Sequence, residues 1–204
     1  MITRVIAFDL GGVLVDVDRS ALHSLHDSAA RIEQAFFEND AHEHLTTGAR
    51  SADAFIDDAA RLLDARSDRV RQAWSRIVAW SPGGQELLQE VTASSSDPML
   101  RVHIWSNTDP IHWEILSRGA AVVDDTALSF TLGCAKPDPR FYAQALADLD
   151  PASVLFLDDR PENIEAARAA GVDGVVCNGV AAARAILTAR GLWRPRRNAD
   201  PAPR

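Results

Sequence analysis

The sequence predicts an α/β protein, a doubly wound and mostly parallel sheet with helices on both faces and a four-helix insertion, and three observations predict it. Short apolar runs recur along the chain, each followed by a polar loop. Most of these loops lead into stretches with helical spacing, and strands alternating with helices build βαβ units. Residues 18–80, by contrast, carry helical patterns and no strand pattern. At 204 residues the chain can hold one such core and an insertion of that size.

The first strand is VIAF (5–8), an apolar run of the kind buried on both faces of a parallel sheet. It ends on Asp9, at the sheet edge where open α/β proteins bind ligands. Gly11 and Gly12 follow and let the chain turn. Four helical stretches come next, at 19–27, at 29–38, in SADAFIDDAARLL and in SDRVRQAWSRIVAW. The third sets Phe55, Ile56, Ala59, Leu62 and Leu63 at helical spacing behind a candidate N-cap, Ser51. The fourth does the same with Val70, Ala73, Trp74, Ile77 and Val78. Together they predict a small bundle over the strand ends, a cap at 18–80 on a core formed by 1–17 and 81–193.

SPGG (81–84) returns the chain to the core, and TASSSD (92–97) reads as a polar loop before the second core strand, RVHIW (101–105). After SNT (106–108), DPIHWEILSRG predicts a helix ending at Gly119, and a further strand is expected near Ala120–Val123. DPRFYAQALADL places Asp138 as N-cap and Pro139 at the first helical position. SVLFL (153–157) is the next strand. RPENIEAARAAG repeats the helix design, with Pro161 early and Gly171 just past the end, and GVVC (174–177) is the last strand. The Pro- and Arg-rich tail RPRRNADPAPR (194–204) has no periodicity and is expected to be disordered.

Hydrophobic residues make up 47% of the chain and charged ones 25%, as in a soluble globular protein, and the formal net charge is −8. That balance argues against nucleic acid or an anionic membrane as the main partner, since both need a basic surface. No apolar run approaches the ~18 residues of a membrane span. No charged-then-apolar leader is present either, so a cytoplasmic location is expected. The oligomeric state stays open. Cys134 and Cys177 lack metal or redox spacing and are expected to be reduced thiols. Lys and Arg total 21, yet Lys136 is the one lysine among twenty arginines. An ammonium is a compact point charge suited to one anionic oxygen.

Four loops leave strand ends carrying DLGG, SNT, CAKPD and DDRPEN. Together they point to phosphoryl chemistry. Asp9 is the candidate nucleophile, because a carboxylate can form an aspartyl-phosphate that splits one hard displacement into two. Asp158 and Asp159 aim further carboxylates at it, and such a cluster of acids needs a hard cation, for which Mg²⁺ fits. Ser106 and Asn107 offer an O–H and an amide N–H to phosphoryl oxygens, and Lys136 supplies positive charge to the transferring group.

The four motifs FDLGGVL, WSN, KPDPRFY and FLDDRPEN, in that order, resemble those of the haloacid dehalogenase-like hydrolase superfamily, over residues 4 to about 191. The resemblance implies a Rossmann-like core with a small α-helical cap after the first motif. It implies Asp9 as nucleophile, Ser106 as phosphate-binding hydroxyl, Lys136 as the family lysine and Asp159 as the principal Mg²⁺ carboxylate. Asp158 would stand behind it or share the metal, and the Gly11 carbonyl would be a further ligand. FDLGGVLVD, GARSADAF and SNTDPIH are most similar to the glucose-1-phosphate phosphatase-like and epoxide hydrolase N-terminal domain-like members. The implied activity is Mg²⁺-dependent hydrolysis of a small phosphorylated metabolite, such as a sugar phosphate. Most phosphatases of the superfamily carry an acid/base aspartate where this chain has Gly11, and such help is worth about 10²–10⁴-fold. Gly11 therefore supports one alternative, a catalytically weak binding or regulatory protein. A dehalogenase of the same superfamily is another, against which stand the Asp158–Asp159 pair and the absence of a YGT-type first motif.

Residues outside these motifs receive plainer expectations. His42 and His44 are expected to be solvent-exposed, with a place facing the site as the alternative. Asp16 and Asp18 could replace the missing acid. Trp74, Trp80, Trp105 and Trp113 are expected to pack core and cap. Arg160 and Glu162 are expected to start a helix.

Overall fold

The computed structural model describes residues 4–38, 40–94 and 99–194. Five strands, β1 (Val5–Phe8), β4 (Arg101–Ser106), β5 (Asp125–Leu128), β6 (Val154–Asp158) and β7 (Asp173–Val176), form one sheet in the order β5-β4-β1-β6-β7. Every pairing in it is parallel. β1 is central, and Phe8 pairs with Ile104 on one side and Leu157 on the other. Asp9, Ser106 and Asp158 therefore arrive side by side at the carboxyl edge.

Alternate residues of β1 point to opposite faces. Ile6 and Phe8 enter a cluster with Leu87, Leu88 and Val91 of α5 (Gly84–Ser94) and Val180, Ala183 and Leu187 of α10 (Gly179–Ala189). Val5 and Ala7 enter another with Phe141 and Tyr142 of α8 (Pro139–Ala145) and Ile164 and Ala167 of α9 (Pro161–Ala169). Burying one such Phe, Leu or Ile contributes about 1.5–3 kcal/mol. The expected N-cap at Asp138 is present, accepting from the Arg140 N–H.

Between β2 (Val15–Val17) and β3 (Val78–Trp80) lie a 3-10 helix (Arg19–Ser24), α1 (Ala29–Phe36), α2 (Ala41–Thr46), α3 (Ala52–Leu63) and α4 (Ser67–Ser75). They share an apolar cluster centred on Trp74. The Trp74 ring stacks on Phe36 at 5.1 Å and meets Phe55 edge-on at 5.0 Å. Ser51 caps α3 through the Ala54 N–H, as the spacing predicts.

The structure corrects several expectations. The fourth helical stretch stops at Ser75, and Val78–Trp80 pairs antiparallel with Val15–Val17. The chain leaves and re-enters the core at one place, so its two linkers, VDV and VAW, satisfy each other's backbone. The first helical stretch is a short 3-10 turn capped by Asp18. α5 runs on through Ser94, into the stretch read as loop, and 95–97 lie outside the described residues. The helix after SNT, α6 (Pro110–Leu116), ends before Gly119. The following strand is Asp125–Leu128 and not Ala120–Val123, because Ala120 turns into the core while Val122 faces solvent. α2, α5, α7 (Ser129–Leu132) and α10 carry no counterpart in the sequence reading. Of the tail, 195–204 lies outside the described residues. No helix among the described residues is long and apolar enough to cross a membrane.

Candidate active site

Lys136, Asp9 and Asp158 meet at the end of β1. The Lys136 ammonium lies 3.0 Å from Asp9 Oδ1 and 2.7 Å from Asp158 Oδ2, and it donates to the Trp105 carbonyl at 2.7 Å. An ammonium has three donors, and here each has an acceptor. Its side chain is fully buried, with the Phe156 ring centroid 5.0 Å from Nζ. Asp9 is held through its Oδ1, which also accepts the Leu10 N–H at 2.7 Å. Burial pushes the Asp9 carboxyl up to about 6; Lys136 pulls it down and Asp158 pushes it up further.

The three acids divide by their partners. Asp158 is fully buried, and it accepts from Lys136, from the Arg160 N–H at 2.9 Å and from the Asn163 amide at 2.9 and 3.0 Å. Protein donors thus fill both its oxygens. Asp159 instead leaves its carboxylate in the cleft, where burial and then Asp158 raise it above the usual range. Carboxylate oxygens of Asp9, Asp158 and Asp159 all lie within 4.8 Å of one another. Three acids against one lysine, all offering oxygen, fit a hard divalent cation such as Mg²⁺.

The two glycines differ. Gly12 has φ +68°, and a Cβ there would stand 2.3 Å from Asp159 Oδ2, so Gly12 both makes the turn and lets Asp159 close over it. Gly11 has no such angle, and a Cβ would meet only Val17 Cγ2 at 3.7 Å. Nothing in the backbone requires glycine at position 11.

Ser106, the last residue of β4, is nearly fully buried beside Gly11 and Asn107 on the wall of an annexe to the cleft. Asn107 has a structural task that the sequence does not suggest. Its side-chain amide donates to the Lys136 carbonyl and accepts the Lys136 N–H, both at 2.8 Å. The amide holds the lysine's peptide with one of its two N–H groups and its oxygen, while Asn107 also lines the cleft.

Above these residues lies a cleft of about 1160 Å³, closed on the helical side by Arg19, His42, Glu43, Thr46 and Thr47. His42 corrects the sequence expectation: it is half-buried and faces the cleft, and burial pushes it below the ordinary histidine value. His44 is exposed, as expected. Asp16 lines the cleft and accepts from Ser81 Oγ at 2.5 Å, while Asp18 is committed to capping through Ser20. Arg160 pairs with Glu162 at the start of α9. Trp74 and Trp105 are buried and Trp80 and Trp113 pack on the core. Cys134 and Cys177 are free and buried. Sequence reasoning gave no role to Asn163 or Arg19, since neither position stands out by spacing or composition.

The haloacid dehalogenase-like hydrolase family matches residues 3–171. Among curated proteins, D-ribitol-5-phosphate phosphatase of Bacteroides thetaiotaomicron is 28% identical over 193 residues, 82% of this chain and 88% of that protein. Flavin mononucleotide hydrolase 1 of Arabidopsis thaliana is 31% identical over 126 residues, 59% of this chain but 48% of the relative's length. Among solved structures, a HAD family enzyme of Bacteroides thetaiotaomicron in complex with magnesium and inorganic phosphate superposes with a TM-score of 0.76 at 22% identity, covering 87% of this chain and 95% of that one. L-2-haloacid dehalogenase of Xanthobacter autotrophicus superposes at 0.58 and 21% identity, covering 87% and 78%.

Proposed function

Because the chain belongs to the haloacid dehalogenase-like hydrolases, we propose that it is a Mg²⁺-dependent phosphomonoester hydrolase acting through an aspartyl-phosphate at Asp9. The observation that carries this reading is the cluster of Asp9, Asp158 and Asp159 around the buried Lys136 ammonium, at the mouth of a cleft. Two relatives named for cleaving phosphate esters support it. The substrate is a small phosphorylated metabolite, and the name of the Bacteroides relative favours a sugar or alditol phosphate. The helical segment at 18–80 acts as its cap. The free buried thiols suit a reducing, cytoplasmic setting.

Asp9 attacks phosphorus, the bond to the leaving oxygen breaks, and that oxygen takes a proton from water and departs as the alcohol. Water then attacks the phosphorus of the aspartyl-phosphate, which frees Asp9 and releases inorganic phosphate. Lys136 holds Asp9 in line and neutralises charge on the transferring group, while Ser106 offers its hydroxyl to a phosphoryl oxygen. Asn107 positions Lys136. Asp9, Asp159 and the Gly11 carbonyl would hold Mg²⁺, with Asp158 braced behind them. When bound, the ion neutralises phosphoryl charge as a Lewis acid.

Phosphate release from a panel of sugar, alditol and aryl phosphates, with Mg²⁺ and with a chelator, tests the proposal. Release that requires Mg²⁺ is expected. No release above background from any panel member with Mg²⁺ present would refute it.

A further inference from the structure

The stretch SNTDPIH also contains Asp109 and His112, which the reaction scheme leaves unused, and both are buried. Asp109 Oδ1 caps α6 by accepting the N–H groups of Ile111 and His112 at 2.8 and 3.1 Å. Its Oδ2 faces His112 Nδ1 at 2.6 Å and accepts the Trp74 indole N–H at 3.3 Å. The other ring nitrogen, Nε2, lies 2.9 Å from the Trp74 carbonyl oxygen. An ionised carboxylate and a carbonyl only accept, so each ring nitrogen has to donate, and only an imidazolium carries two N–H groups.

Trp74 lies at the end of α4, where the helix dipole is negative, and α4 has no basic residue in its last turn. Arg76 follows as the C-cap, and α6 brings His112 to the Trp74 carbonyl from the core. The His112 ring stacks on the Trp74 indole at 5.0 Å and 22°. Trp74 in turn meets the His42 ring edge-on at 5.6 Å, and His42 lines the cleft together with Asp9.

We propose that His112, held as an imidazolium, is the positioning residue that docks the helical cap on the core and so sets His42 against the substrate. The proposal rests on reading the cleft as a phosphatase site. A ring that lost either N–H would keep one of its two bonds and turn a lone pair on an acceptor. Asp109 faces the ring from its own helix; His42, which burial favours in its neutral form, is the neighbouring titratable group, and Arg19 stands beside His42. α4's charged residues Asp68, Arg69 and Arg71 bond instead to Arg66, the Ser24 carbonyl and Asp53. β3, which also packs on α6, contains no titratable side chain.

Nitrogen-15 spectra of the histidine rings in the full chain read the protonation directly, with His112→Gln assigning the signal. Both His112 nitrogens are expected to carry protons at the pH of the assay, since each faces an acceptor. With p-nitrophenyl phosphate and Mg²⁺, His112→Gln should raise KM about fivefold and leave kcat nearly unchanged, the effect of losing about one hydrogen bond. A single neutral tautomer at that pH overturns the proposal, as does an unchanged KM in a folded variant. The spectra need no turnover and use the unaltered chain. An imidazolium in a protein that releases no phosphate would refute the phosphatase reading alone.

Discussion

Replacing Lys136 by methionine keeps the stem and removes the charge, and the structure sets the size of the effect. The ammonium's three acceptors lie at 2.7, 2.7 and 3.0 Å, and two of them are the carboxylates of Asp9 and Asp158, 7% and 0% exposed. Removing one partner from a buried ion pair costs about 3–5 kcal/mol, a large part of the roughly 5–15 kcal/mol of a whole domain. In a chain of this length each kcal/mol lowers Tm by about 2–4 °C, so a fall of about 6–20 °C is expected.

The deficit should depend on pH. Asp9 already stands at about 6 with the lysine in place, and burial pushes it higher once the ammonium is gone. The folded state then holds a proton that the unfolded state has released above about pH 4, so stability falls as pH rises through that window. The variant should be near wild type at about pH 4.5 and fully destabilised at about pH 8. Thermal melts at both values check this. Saturating Mg²⁺ at the higher pH should restore part of the loss by pairing the acids again. A Tm within about 2 °C of wild type at about pH 8 would refute the claim that Lys136 neutralises the cluster. Lys136→Arg keeps the charge but brings a wide planar fork to a point where three acceptors converge, so it should lose nearly as much activity as Lys136→Ala.

Asp9→Asn should abolish steady-state phosphate release while retaining the folded state, and measurable turnover in that variant would remove the covalent step. Asp159→Asn should weaken Mg²⁺ binding more than Asp158→Asn, whereas Asp158→Asn should lower Tm more, because four hydrogen bonds end on its buried carboxylate; titration calorimetry and melts on both variants decide the order. Gly11→Asp should fold normally and raise rates on alkyl phosphates, whose poor leaving groups need an acid, by up to about 10²–10⁴-fold, while Gly12→Ala should cost at least about 1–2 kcal/mol for the left-handed backbone and displace Asp159 as well. Melting points and rates for the pair test that contrast.

Much of the core was legible because burial on both faces demands continuous apolar runs, and VIAF and VLFL are such runs. β5 was not, since its sequence DTAL is polar in its first half and only Ala127 and Leu128 are buried. The apolar AAVV just before it misdirected the assignment. Asp9, Asp158 and Asp159 stand out because charge at a strand's end is chemically expensive without a purpose, and Lys136, which follows α7 and not a strand, stands out as the one lysine among twenty arginines. Their division of labour was not legible. Asn107 has the same composition whether its amide faces a phosphate or a lysine's peptide, and only the fold decides. His42 carries no signal of its place in its own letters: a histidine beside His44 reads as surface, and only the fold turns it into the cleft while His44 stays exposed.

The same distinction bears on how the proposed site would hold a phosphate in a chain of net charge −8. Two of its acids, Asp9 and Asp158, share one ammonium, and Asp158 is further satisfied by donors on its own loop and helix. That leaves Asp159 and part of Asp9 facing the cleft, with no ion-pair partner for Asp159 among the described residues. A phosphate approaching that arrangement alone would meet repulsion, and a divalent cation would turn the same oxygens into its cradle. Metal and substrate binding should therefore be coupled: inorganic phosphate should bind weakly to the apo protein and more tightly with Mg²⁺ present. The coupling lives in Asp159, because Gly12 lets that carboxylate close over the turn and any side chain there would push it away.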